Sequence, residues 1–104
     1  MCIRDSSSTL ELKVSNEFIE SEAFEVIFDV SIADEEFNLQ VQASFNFELD
    51  IAMTEEFKNS HFPKVNAPAI AFPYLRAFIS NLTLQSGIKP VILPSINFVE
   101  FAKQ

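Results

Sequence analysis

His61 is the single imidazole of this chain and Cys2 its single thiol. A metal site or proton relay needs several converging groups, so a histidine with no second histidine or thiol near it reads as a surface residue. Cys2 cannot close an intramolecular disulfide, which fits a reducing compartment. The fifteen carboxylates alternate with apolar residues or gather in turns such as Asp34-Glu35-Glu36. Those are places where charge keeps a sheet solvated, not places where an acid meets a base. With Gly87 the only glycine, no phosphate-cradling loop can form. Asn81-Leu82-Thr83 fits the glycosylation pattern, yet it falls in a helical stretch and is expected to be coincidental. Arg76 stands among apolar neighbours and is expected to pair with a carboxylate of the sheet or of a neighbouring subunit. Neither catalysis nor a cofactor is expected. The remaining chemistry is apolar contact, for which twelve Phe supply the surface.

With 104 residues, 48% of them hydrophobic, the chain suits one domain with a real core. A domain of this size leaves much surface outside its own core, so part of this apolar content is expected to be buried against a partner. A net charge of −8 repels nucleic-acid phosphates and anionic lipid. No apolar run approaches the roughly 20 residues that span a bilayer, and no cleavable leader is visible. The expected location is the cytoplasm, without membrane insertion.

These groups must be positioned by a few elements. Residues 1–8 lack periodicity and end in serines, so they are expected to form a disordered arm or a non-native leader, with a single domain over residues 9–104. Leu10, Leu12 and Val14 alternate with polar residues until Asn16 breaks the apolar face, which predicts a first strand. Phe24, Val26, Phe28, Val30 and Ile32 predict a second. The alternation from Phe37 through Leu39, Val41, Ala43, Phe45 and Phe47 to Ile51 predicts a third. Short connections make the three antiparallel, with one dry face and one acidic, wet face. Thr54 is placed to cap a short helical turn, and residues 67–86 predict a long helix stopped by Gly87, with Pro73 either kinking it or marking its true start. Its apolar positions are too many for one stripe, so a second subunit is expected on another face. Phe72, Tyr74, Leu75, Ile79 and Leu82 are the candidate subunit-interface residues. Pro90 and Pro94 bracket Val91-Ile92-Leu93 as an extended apolar connection. Ser95 or Asn97 is placed to cap a last helix carrying Phe98 and Phe101. The fold class is α+β, an antiparallel sheet packed against a long helix plus a short C-terminal helix.

The stretch Phe72-Pro73-Tyr74-Leu75-Arg76-Ala77-Phe78-Ile79-Ser80-Asn81-Leu82 resembles the helix signature of the bacterial export chaperones of the SecB family, Phe-Pro-Tyr-Ala-Arg-Glu-x-Ile-x-x-Leu. Gly87-Ile88-Lys89-Pro90 is similar to the family's Gly-x-x-Pro loop, and Pro94-Ser95-Ile96-Asn97-Phe98 to its Pro-Val-Asn-Phe start of the final helix. The resemblance implies a homotetramer built as a dimer of dimers and nucleotide-independent holding of unfolded or precursor polypeptides. It also implies a sheet of four strands, of which three are evident here. The missing first strand lies upstream in the family, so an N-terminally truncated member is expected, with an aggregation-prone edge. Asn38 and Gln40 depart from the apolar and acidic residues through which the family engages the motor SecA. That partner therefore does not carry over at these positions, as in relatives that serve toxin–antitoxin systems.

The expected mechanism is hydrophobic capture by Phe78, Ile92, Leu93, Phe98 and Phe101. Each buried client side chain contributes about 1.5 to 3 kcal/mol before ordering costs, so several shallow contacts suffice without sequence specificity. A dedicated interaction partner of a toxin–antitoxin system and a carrier of a small apolar ligand are the alternatives. The carrier requires a closed pocket between sheet and helix.

Overall fold

Strict alternation over long stretches gives three long strands: β2 (Ser8–Glu20), β3 (Ala23–Asp34) and β4 (Asn38–Glu48). The computed structural model describes the backbone of residues 2–4 and 8–101, with side chains from Thr9 onward. A short β1 (Cys2–Arg4) completes an antiparallel meander in the order β1-β2-β3-β4. Ile3 stands opposite Leu10 in that pairing. Sequence reasoning leaves all of residues 1–8 outside the fold, whereas Cys2–Arg4 joins the sheet. Ladder pairing uses backbone N–H and C=O groups, which hydropathy does not report. Residues 1 and 5–7 lie outside the described residues.

Strand β2 also runs past the break expected at Asn16. The Asn16 amide, set in the apolar row, donates to the Pro63 carbonyl at 2.6 Å and so meets its polar need without leaving the strand. Beyond it the β2–β3 register slips between Phe18 and Glu20, a bulge that places Ile19 out of the ladder. The β3–β4 turn closes on Asp34, whose amide donates to the Phe37 carbonyl at 2.9 Å and whose carboxylate accepts from the Glu36 amide at 3.2 Å.

One face of this sheet carries the core. Phe24, Val26, Phe28, Val30 and Ile32 of the central strand β3 are buried, as is Leu12 beside them. The other face carries Glu11, Lys13, Asp29 and Gln42, with Gln42 donating to Asp29 at 2.9 Å. Helices cover the apolar face. Helix α1 (Glu55–Lys58) starts where the Thr54 hydroxyl accepts the Phe57 amide at 3.0 Å. A π-helical turn (Phe62–Asn66) leads directly into α2 (Ala67–Gln85), and α3 (Phe98–Phe101) follows an irregular segment. The π-helical turn has no signature in the hydropathy pattern. Helix α2 runs through Pro73, so that residue is interior and costs one backbone hydrogen bond without moving the helix start.

Rings fill the space between layers at two places. Phe24 stacks on Phe47 at 5.2 Å and meets Phe57 and Phe62 edge-on at 6.1 Å, beneath α1 and the π-helical turn. Phe28 meets Phe45, Phe72 and Phe98 at 5.8 to 6.4 Å, beneath α2 and α3. Nineteen residues of α2 span about 28 Å at 1.5 Å per residue, against a longest molecular dimension of 46 Å. One helix cannot cover the whole apolar face, and the thinnest dimension of 17 Å leaves room for a single helical layer.

Candidate functional site

The two sides of α2 differ. Its inward face seats Ala71, Phe72, Leu75, Ile79 and Thr83 in the core. Phe72, Leu75 and Ile79, expected at a subunit interface, are thus engaged by their own chain. Tyr74 and Leu82, from the same expectation, and Phe78, expected to touch clients, follow one another at i, i+4 and i+8 on a flank turned toward β4.

That flank is open. Tyr74 is 69% exposed and Phe78 54%, while Leu82 is half-buried. Opposite them Val41, Ala43 and Phe45 of the edge strand β4 are also only half-buried, although they belong to the sheet's apolar face. Between helix and strand lies a trough of about 560 Å3. Ile70 and Leu84 extend the exposed apolar surface of α2 toward its two ends. The half-covered state of β4 is the feature that sequence reasoning missed. Its alternation is as regular as that of β3, and only the width of α2 against the sheet decides which strand is covered.

The opposite flank of α2 carries a strap of irregular backbone, residues 88–97. A Schellman-type ending launches it: Gly87 takes φ of +81°, its amide bonds the Leu84 carbonyl at 3.1 Å, and the Ile88 amide bonds the Thr83 carbonyl at 3.3 Å. The buried Thr83 hydroxyl then accepts the Val91 amide at 2.9 Å and donates back into its own helix, toward the carbonyls of Ile79 at 2.9 Å and Ser80 at 3.0 Å. Thr83 is therefore a strap anchor. Two turns before it, Arg76 donates from Nε to the Leu93 carbonyl at 3.0 Å. Among the described residues this guanidinium meets a backbone carbonyl where a carboxylate is expected.

Exposure varies along the strap and into α3. Ile92 is 74% exposed, whereas Leu93 is 3% and Phe98 4% exposed. Leu93 and Phe98 belong to the core cluster, with Phe98 edge-on to Phe72 at 5.5 Å and tilted against Phe101 at 5.7 Å. Asn97 caps α3, its side-chain oxygen accepting the Val99 amide at 3.0 Å. Of the five residues expected to capture clients, Phe78 and Ile92 face outward, Phe101 is half-buried, and Leu93 and Phe98 are inside. His61 is exposed at the entrance to the π-helical turn. No helix among the described residues is long and apolar enough to cross a membrane.

Comparison with known proteins meets this geometry. The sequence model of the family described as "SecB: Preprotein translocase subunit SecB" matches residues 4–104. The uncharacterized protein MJ0357 of Methanocaldococcus jannaschii is 52% identical over 40 residues, covering 38% of this chain and 26% of that protein. The protein-export protein SecB of Magnetococcus marinus is 41% identical over 49 residues, covering 44% of this chain and 31% of the relative. The chain thus spans less than a third of the length of these curated relatives in the matched segments. In fold it is similar to the Mycobacterium tuberculosis Rv1957 SecB-like chaperone, solved in complex with a ChAD peptide from the Rv1956 HigA1 antitoxin. That match has a TM-score of 0.67 at 16% identity and covers 86% of this chain and 72% of the other.

Proposed function

This chain belongs to the SecB family, and from that premise we propose that it is a cytoplasmic, non-enzymatic holding chaperone that captures apolar segments of unfolded or precursor polypeptides without nucleotide. The open trough between α2 and β4 carries this reading. It offers Tyr74 and Phe78 to solvent above a half-covered row of β4 side chains. An extended apolar segment laid there buries its own side chains and covers those of the trough at the same time, each side chain contributing about 1.5 to 3 kcal/mol before ordering costs. A carrier of a small apolar ligand needs an enclosed cavity, and this trough opens to solvent along its length.

Exposed apolar residues of α2, Ile70 and Leu84 beyond the trough among them, also support assembly. Ile70, Tyr74 and Leu84 lie exposed on a helix that already has one face in the core, and burying them against a second copy fits a homotetramer arranged as a dimer of dimers. The likeness to a chaperone bound to an antitoxin peptide favours a second reading, service to one dedicated client of a toxin–antitoxin system. Contact with the export motor is not part of the proposal, since Asn38 and Gln40 stand on β4 in place of the family's apolar and acidic residues.

Light scattering of an unfolding reference protein, without nucleotide, separates the readings. Suppression of aggregation at stoichiometric ratios is expected from the folded oligomer, and it should be lost on replacing Phe78 and Ile92 with Ser. A well-folded oligomer that suppresses nothing would turn the proposal toward the dedicated-client reading.

A further inference from the structure

The strap over residues 88–97 has no helix or strand to hold it in place. Pro90 and Pro94 within it lack backbone donors. Beyond the turn that launches it, α2 holds it through two side chains: the Thr83 hydroxyl on the Val91 amide and Arg76 Nε on the Leu93 carbonyl. Seven residues apart, Arg76 and Thr83 lie on one flank of α2, two turns from each other along its length. The residue held between these bonds and α3 is Leu93, which drops into the core between the exposed Ile92 and Pro94.

We propose that Arg76 and Thr83 form a latch that keeps the strap closed, with Leu93 acting as a built-in ligand of the apolar slot it fills. The proposal rests on the holding reading above and adds its regulation. Opening the latch withdraws Leu93 from the slot and exposes Phe98 and the Phe72 ring packed on it. That surface is apolar, continuous with the exposed Ile92, and inaccessible while the strap is down. A client then competes with Leu93 for the slot, and apparent affinity scales with the fraction of molecules whose strap is open.

Two latch variants test this in the assembled protein. Arg76→Met keeps the aliphatic stem and removes the donor; Thr83→Val keeps the shape and removes the acceptor. Thr83→Ser retains the hydroxyl and serves as rescue. The probe is reduced, carbamidomethylated lysozyme, which stays unfolded, titrated by fluorescence anisotropy, with hydrogen exchange of residues 88–97 measured in parallel. Both latch variants should speed strap exchange by about tenfold and tighten probe binding by about the same factor, as a rise in a small competent fraction requires. Thr83→Ser should resemble the wild type in both. A merely structural role predicts the same loosening of the strap with equal or weaker binding. Faster exchange without tighter binding, or unchanged strap exchange, overturns the latch while leaving the holding function in place. Failure of wild type and latch variants alike to bind the probe overturns both.

Discussion

The Thr83 hydroxyl and the Val91 amide meet at 2.9 Å, the first on a buried residue and the second on a half-buried one, joining a helix to an irregular strap eight residues further along the chain. Replacing the hydroxyl with a methyl leaves a backbone N–H without its acceptor. Loss of one partner of a buried pair costs about 1 to 3 kcal/mol, and not merely the modest net value of the bond. Thr83→Val is therefore expected to lower the thermal midpoint by roughly 4 to 8 °C for each kcal/mol lost in a domain of this size. Calorimetry should find Thr83→Ser much nearer the wild type.

Phe24 is the densest point of the ring packing, stacked on Phe47 and edge-on to Phe57 and Phe62, with no exposure to solvent. It links β3, β4, α1 and the π-helical turn. Phe24→Ala should cost about 3 to 5 kcal/mol, a large share of the roughly 5 to 15 kcal/mol that holds a domain folded. Urea unfolding is expected to show an early, broadened transition. A midpoint close to that of the wild type would mean that this end of the sheet does not depend on its aromatic cluster.

The sheet and α2 were legible because their periodicities are clean, and each for a separate physical reason. Phe24 to Ile32 alternate because β3 is central and has one face in the core. Thr54 could be placed as a cap, and Asn97 as one of two candidates with Ser95, because short polar side chains reach the amides that begin a helix. What stayed hidden depends on facts between elements. Asn16 reads as the end of a strand until the Pro63 carbonyl stands above it, and β1 is held by backbone pairing that has no hydropathy pattern. For the site, type was legible and exposure was not. Ile92 and Leu93 are adjacent apolar residues in one loop, yet the first is 74% exposed and the second 3%. Burial in the core cluster and the bonds from Arg76 and Thr83 hold the strap with Leu93 inward.

Gly87 isolates a purely conformational term. Its φ of +81° is left-handed, and a Cβ built there meets nothing within 4 Å. Gly87→Ala therefore brings no clash with a neighbour, only the cost of holding an L-residue in that region, about 1 to 2 kcal/mol. Asn tolerates it better, so Gly87→Asn should lose less. Chemical denaturation is the suitable measurement, with a lower midpoint and an unchanged slope expected for both. An unchanged midpoint for Gly87→Ala would mean that the helix ending rearranges at no cost, and that α2 does not depend on this turn to launch the strap.

Exposure also decides which substitutions can probe binding without unfolding the protein. Leu93 and Phe98 lie in the core cluster, so Ser at either position leaves a cavity and an unsatisfied hydroxyl beside it. Large-to-small changes of this kind typically cost about 2 to 5 kcal/mol, and any loss of capture in them is confounded with loss of fold. Tyr74 and Phe78 stand outside, where substitutions usually change stability by no more than about 0.5 kcal/mol. The paired variant Tyr74→Ser with Phe78→Ser should therefore keep the helical and sheet content of each subunit, judged by circular dichroism, and lose aggregation suppression. Sedimentation on the same samples resolves what that loss means. If the oligomer survives while suppression falls, the trough between α2 and β4 is the client surface. If the oligomer falls apart, Tyr74 works chiefly at the contact between copies, and Phe78→Ser alone becomes the measure of capture. Suppression retained by an intact oligomer of the double variant would remove the trough from the mechanism and leave Ile92 and the strap as the capturing surface.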